Sequence, residues 1–445
     1  MNIAFLYLYL LAAIIIGCLC IRKIKTAADY YVAGRNGGAI QIAGSLLATI
    51  LGSSAILGSI DFAAQKGWAG AWFMLCGAFG LAILLFLVKP LAKFKGYNLP
   101  ALLGSFYGND VKTISSAVIA IAWLGVIAAQ IIGAAKITTA VLNISYTHAA
   151  LAIGLTLTAY TAMGGQLSII KTDLLQVFLI IAGLLLVAIV LFQQHVIHSV
   201  IAMPAQTAPL ISVKFTWMDL LVMLFTYSST YVVGPDIYSR LFCAKDEKTA
   251  QNAVIISIAV LVPIAFLLSY IGVFGPVFKG TGNESVFFVI IKNLFSHPAV
   301  LIPLYFCILS AIMSSADTTL FTAAELLSQI FQDDLDSRKS IRLTMICTII
   351  LSILSILITL KFHSILNVLL MALGTYAGAF VIPVIWGLFG MQSRRPFVVA
   401  AIVIGGSLSL LSKFLPGKFS HTAVFLAFAA NLALLAIGRT KKAAS

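Results

Sequence analysis

The chain has 445 residues, of which 61% are hydrophobic and only 9% charged, against roughly 25% charged in soluble domains. The apolar residues form long runs, so lipid is the solvent, and runs of about 20 residues exclude the two-residue alternation of barrel strands. The net charge of +14 comes from short Lys/Arg clusters beside those runs, where membrane topology accounts for them and no nucleic-acid partner is needed.

In chain order, the first apolar run, 3–21, has no basic residue before it and Arg22, Lys23 and Lys25 after it. That is opposite to a cleavable signal peptide and places the N-terminus outside. Spans follow at 40–64, 69–88, 113–141, 149–163 and 174–191, then at 218–233, 253–274, 301–327, 343–360 and 365–389, and finally at 398–411 and 423–437. Thirteen spans put the C-terminus in the cytoplasm, and this alternation leaves only eight of the 28 basic residues outside, as an integral plasma (inner) membrane protein requires. Arg240 counts among the cytosolic charges. The polar connections 195–217, 279–298 and 332–342 are too short for an ordinary soluble domain, and the outer two are expected to carry short surface helices. Asn283-Glu284-Ser285 matches a glycosylation acceptor, a triplet common by chance. The six cysteines lie within spans or at their cytosolic ends and read as packing groups.

Ionisable groups inside spans are expensive and so mark pairs, aqueous cavities or function. Asp61, Lys136, Asp173, Asp236, Asp317 and Glu325 are the candidates; Lys136, near a span end, reads as a snorkelling lysine. In the ninth span Ala311, Ser314, Ser315, Thr318, Thr322 and Glu325 recur at three-or-four spacing and form one polar stripe. Hydroxyls in membrane helices often bond back to their own carbonyls. A stripe of hard oxygens ending in carboxylates also has the chemistry that a small dehydrated cation requires.

Two spans are interrupted. Gly52, Ser53 and Ser54 weaken the second midway, and 227–231 before Gly234-Pro235-Asp236 weakens the seventh, where Pro235 removes an amide donor. Breaks at mid-membrane free carbonyls and half-helix ends for ions and substrates. Their separation by five helices makes spans two to six (40–191) and seven to eleven (218–389) two units of opposite orientation, an inverted repeat within one membrane transport domain. One helix (3–21) precedes them and two (398–437) follow.

Four segments resemble the sodium:solute symporter family, which includes sodium-coupled sugar, proline, pantothenate and sialic-acid carriers. Ala28-Asp29-Tyr30-Tyr31-Val32-Ala33-Gly34-Arg35 is similar to the motif before its first core helix. Tyr160 to Gly165 followed by Thr172-Asp173 and Gln176 resembles its Gly-Gly turn and Thr-Asp-x-x-Gln helix start. Ala311-x-x-Ser314-Ser315 resembles its sodium-binding helix, and Gly234 to Arg240 the end of its second broken helix. The matches run in family order from about residue 28 to at least 330.

The resemblance implies an all-α, leucine-transporter-type five-plus-five inverted-repeat core with one helix before and two after. It implies sodium as the coupling ion, bound by carbonyls of Ala48, Leu51 and Ala311 with hydroxyls of Ser314 and Ser315. A second cation site would use Asp173, Ser314, Asp317 and Thr318. Aspartate at 317 stands where a hydroxyl is expected, which leaves open a proton or a basic partner there. The solute would lie between the breaks, beside Gly52, Ser53 and Ser54 on one side and Tyr227, Ser228, Thr230 and Tyr231 on the other, with Gln130 and Tyr376 in addition. The Glu-Gln pair of sugar-binding members is missing, which favours a compact solute such as an amino acid, short carboxylate or vitamin-like acid. The expected partners are therefore that solute, sodium and the bilayer, with no obligate protein partner evident.

The expectation is sodium-coupled symport by alternating access. Proton coupling on the same fold is the first alternative, through Asp173 or Asp317; a sensor or channel is the second, though no appended signalling domain or ring-forming selectivity sequence is present. An enzyme is disfavoured because the histidines fall near outer loops without ligand spacing.

Overall fold

The computed structural model describes residues 4–94, 96–193, 208–278, 285–295, 298–332, 337–361, 365–415 and 417–440. The described chain is helical apart from two short strands, as backbone groups deprived of water must be. Each of the thirteen expected spans falls on a helix. The first half of the chain comprises α1 (Ala4–Ile21), the short α2 (Ala27–Val32), α3 (Ala39–Ile50), α4 (Ser53–Lys66), α5 (Trp72–Ala92), α6 (Leu99–Tyr107), α7 (Asn109–Leu142) and α8 (Tyr146–Gln193). The rest comprises α9 (Trp217–Met223), α10 (Ser229–Val233), α11 (Pro235–Leu241), α12 (Glu247–Val273), α13 (Val286–Leu294), α14 (Pro298–Phe331), α15 (Arg338–Lys361), α16 (Ile365–Leu388), α17 (Arg395–Leu411) and α18 (Gly417–Ile437).

Helix α8 holds the fifth and sixth spans. Its interior is broken at Gly165, with φ +51° and ψ −150°, a region essentially reserved for glycine. A Cβ there would also meet the Tyr30 ring and carbonyl at 2.7 Å. Tyr30 in turn donates its hydroxyl to the Ala162 carbonyl at 2.9 Å, which seats α2 against the turn.

The second span is broken between α3 and α4, where Leu51 leaves the helix with φ −79° and ψ 41°. The seventh is more irregular than its sequence indicates. A π turn (Leu224–Ser228) precedes α10, and the true break falls at Gly234, which is extended with ψ 130°. Pro235 dictates this position because it disfavours helical geometry in the residue before it, yet suits the first turn of α11. A parallel bridge joins Gly37 to Ala244, with the Gly37 amide donating to Cys243 at 2.9 Å and Lys245 donating to Gly37 at 3.2 Å. The lead-in to the first broken helix is thus stitched to the exit of the second.

Helix α14 packs on both α7 and α8, and its side chains from Leu304 to Leu326 are almost all buried. Helices α17 and α18 pack outside α16. Pro383 inside α16 removes the donor for the Ala379 carbonyl, and Asn431 of α18 donates to the Ala379 and Gly378 carbonyls at 3.4 and 2.6 Å. The strands β1 (Gln392–Ser393) and β2 (Arg439–Thr440) pair antiparallel beside these helices.

The 279–298 connection carries α13, as expected of a surface helix. Asp61 caps it, accepting from the Val286 amide at 2.8 Å and the Ser285 hydroxyl at 2.9 Å, so this costly carboxylate has a structural use. Residues 194–207, most of the other outer connection, and Asn283 and Glu284 of the glycosylation triplet lie outside the described residues. Lys136 is exposed, as snorkelling requires. Among the described residues all six cysteines are free, and all but Cys18 are buried.

Candidate functional site

The break after α3 leaves the last carbonyls of that helix without intrahelical donors, and Ala48 and Leu51 bury completely beside α14. Ser315 reaches the same point from the other side, donating to the Thr49 carbonyl at 3.3 Å. Approach is close because residue 52 is glycine: a Cβ there would lie 2.3 Å from the Ser315 hydroxyl. The neighbouring residue, Ser314, turns away and donates to Asp173 Oδ1 at 2.6 Å. Neither hydroxyl satisfies itself on its own helix. Thr318 and Thr319 do, bonding back to the Ser314 and Ser315 carbonyls at 2.8 and 2.9 Å. Of the expected cation ligands, Ser315 meets the α3 break directly, Ser314 faces Asp173, and Ala48, Leu51 and Ala311 are fully buried on α3, at its end and on α14.

Immediately beside it lies a fully buried charged cluster. Asp173 of α8 accepts from Ser45 of α3, from Ser314 of α14 and, at 3.4 Å, from Arg240 Nη2 of α11. Arg240 also donates to the Thr318 hydroxyl, while Asp317 accepts from Tyr160 at 2.8 Å. Placing Arg240 among the cytosolic surface charges is therefore incorrect: it is 0% exposed. Proximity to Lys245 and Lys248 in sequence suits a loop, but the seven-residue α11 carries the side chain inward. The suspected basic partner at the second cation set is this guanidinium.

A cavity of about 110 Å³ opens next to Ser315, between the two breaks. Of the expected solute residues, Gly52, Tyr227, Thr230, Tyr231, Gln130 and Tyr376 line it. Ser228 does not: it is buried with its backbone packed over Gly80 of α5, where a Cβ on residue 80 would come within 2.4 Å of its carbonyl. Ser53 and Ser54 begin α4, and their side chains lie outside the described residues.

The sequence reading missed Trp123, and it placed Asp236 at the end of the second broken helix without assigning it to the solute site. Both line the cavity. Trp123 Nε1 donates to the two Asp236 carboxylate oxygens at 3.2 Å each, and its ring lies 5.1 Å from that of Tyr376. A lone carboxylate after an X-Pro break is the signal that could have found Asp236; nothing local distinguishes Trp123 from a packing aromatic.

A model of the sodium:solute symporter family matches residues 30–405. The chain belongs to that family. This membership brings an integral membrane setting and use of the sodium ion. Among similar proteins are the high-affinity proline transporter of Bacillus subtilis, 21% identical over 89% of both chains, and the sodium/pantothenate symporter of Escherichia coli, 22% identical over 90% of this chain and 88% of that one. A sodium-coupled sialic acid symporter in a substrate-bound outward-open state superimposes with a TM-score of 0.81, covering 99% of this chain and 98% of that one at 17% identity. The fold of this sodium:solute symporter family member is thus the leucine-transporter type.

Proposed function

We propose that this family member is a sodium-coupled secondary active symporter that imports a small polar solute by alternating access. The observation that carries the reading is the junction of Ser315 with the first break, beside Ser314 and the buried carboxylate of Asp173. Carbonyls of Ala48, Leu51 and Ala311 with hydroxyls of Ser314 and Ser315 offer a sodium ion hard oxygen ligands, and Asp173 supplies negative charge. The ion then ties α3 to α14, stabilises the outward-open state and raises solute affinity, and by linkage the solute raises sodium affinity. The units 40–191 and 218–389 act as the inverted repeats, with the N-terminus outside and the C-terminus cytoplasmic. The relatives that carry proline and pantothenate support a compact solute.

In proteoliposomes with an imposed inward sodium gradient, uptake from a labelled panel including proline and pantothenate is expected to require sodium. Ser314→Ala and Ser315→Ala are each expected to lower sodium affinity at least tenfold. Uptake that is independent of sodium and undiminished in both variants would remove the coupling assignment.

A second reading, proton coupling on the same fold, is favoured by one observation. Asp173 and Asp317 share the single Arg240 guanidinium, which leaves one negative charge in a fully buried cluster. A proton on Asp317 would neutralise it.

A further inference from the structure

The central cavity has a chemical sign that the sodium reading alone does not assign. Among its lining residues Asp236 carries the only formal charge, and the other polar groups are neutral. Asp236 is only partly buried, whereas Arg240, one turn along the same helix, is wholly buried. That guanidinium holds Asp173 and Thr318 through Nη2. Asp317 draws on the same positive charge, so three carboxylates surround one arginine. Trp123 gives Asp236 a neutral donor, with the Thr322 hydroxyl nearby. Arg240 attracts Asp236 as well, but one positive charge among three carboxylates leaves two in excess beside a low-dielectric cavity, which is costly, and a positive group on the occupant offsets that excess. The rest of the wall fits that occupant. Trp123, Tyr227, Tyr231 and Tyr376 bring aromatic rings to the space beside Asp236, and such rings attract organic cations through their negative faces.

We infer that the solute carries a cationic nitrogen that docks on Asp236 among the aromatic rings of Trp123, Tyr227, Tyr231 and Tyr376. This rests on the proposed solute site and selects within its candidates. An amino acid or another compact ammonium compound fits; a carboxylate without a positive nitrogen places like charges together.

The test is a thermal-shift panel on the purified full chain, with and without sodium. The probes are proline, glycine, 4-aminobutyrate, ethanolamine, choline and glycine betaine, set against acetate, propionate, lactate, pantothenate and glucose. Sodium-dependent stabilisation by at least one probe with a charged nitrogen, and by none of the others, is expected. Zwitterions responding without ethanolamine or choline would identify an amino acid within the inference; the reverse would identify an organic cation. Stabilisation by any probe without a charged nitrogen, pantothenate and glucose included, or no stabilisation by any charged-nitrogen probe, would overturn it. For the responding probe, Asp236→Asn is expected to weaken binding at least tenfold and Asp236→Glu to retain part of it; unchanged affinity in Asp236→Asn also overturns the inference. Sodium alone should stabilise the wild-type chain whatever the panel shows, so a failure of the sodium reading is separately visible.

Discussion

Ser314 and Ser315 are adjacent in sequence yet face different oxygens, one a carboxylate and the other a backbone carbonyl at the helix break. A 100° step along the helix is enough to divide them. Asp317, three residues on from Ser314, meets Tyr160 and shares Arg240 with Asp173. The two coupling readings separate here. Asp317→Asn removes one carboxylate and leaves the Ser314/Ser315 hydroxyls in place, so sodium-driven uptake should persist with less dependence on external pH. A pH profile of uptake identical to wild type would exclude Asp317 as a titrating carrier. The polar stripe was legible at this scale because three-or-four spacing reports one helix face. Asp236 with Trp123 was not: their hydrogen bond joins two helices, and sequence periodicity carries no information about what a face meets. Arg240 shows the same limit, since its neighbours in sequence are surface lysines and its neighbours in space are carboxylates.

At the scale of elements, both interruptions were legible in glycine, serine and proline content, but their form was not. The first is a clean helix end at Leu51; the second moved to Gly234 because Pro235 acts on the residue before it. Gly165 was readable as a turn, and it is where α8 divides into the helices of the fifth and sixth spans. The motif ahead of α3 also has a definite structural basis. Asp29 and Thr26 form a reciprocal cap on α2, with the Lys25 and Thr26 amides donating to Asp29 at 3.0 and 2.9 Å. Partial burial is the largest single influence on the Asp29 carboxyl and pushes its pKa up, but the Thr26 and Lys25 hydrogen bonds with the Lys25 charge together outweigh it and hold the pKa below the usual value. The sign follows: this contribution to stability is present above the ordinary aspartate pKa and lost as pH falls through the depressed one. Asp29→Asn should therefore melt below wild type at pH 7, and the difference should narrow as pH is lowered toward about 3. A difference that stays constant across a scanning-calorimetry pH series would contradict this account of the cap.

For the whole molecule, apolar run lengths and basic-residue bias specified the helical architecture, because a bilayer admits few alternatives. The cavity between the breaks could not be counted out in the same way, since its walls come from seven separate helices. Coupled import has a whole-molecule consequence. An inside-negative potential contributes about 2.3 kcal/mol per charge per 100 mV, so one net positive charge per cycle would allow roughly fifty-fold solute accumulation at 100 mV. Imposing such a potential on proteoliposomes at equal sodium on both sides should drive net uptake; indifference to voltage would mean that no net charge crosses with the solute.

The backbone bridge between Gly37 and Ala244 bears on which contacts survive that cycle. It fastens the two broken helices together like the rails of one sled, so any displacement of α3 drags α11 along. Walls contributed jointly by this sled are tied to one another. The seam between Gly52 and Ser315 is not tied in this way, because α14 stands on the other side of it. An ion bound across that seam, as proposed, would be a removable pin: inserted, it would hold the sled in register, and its departure would free the sled to slide.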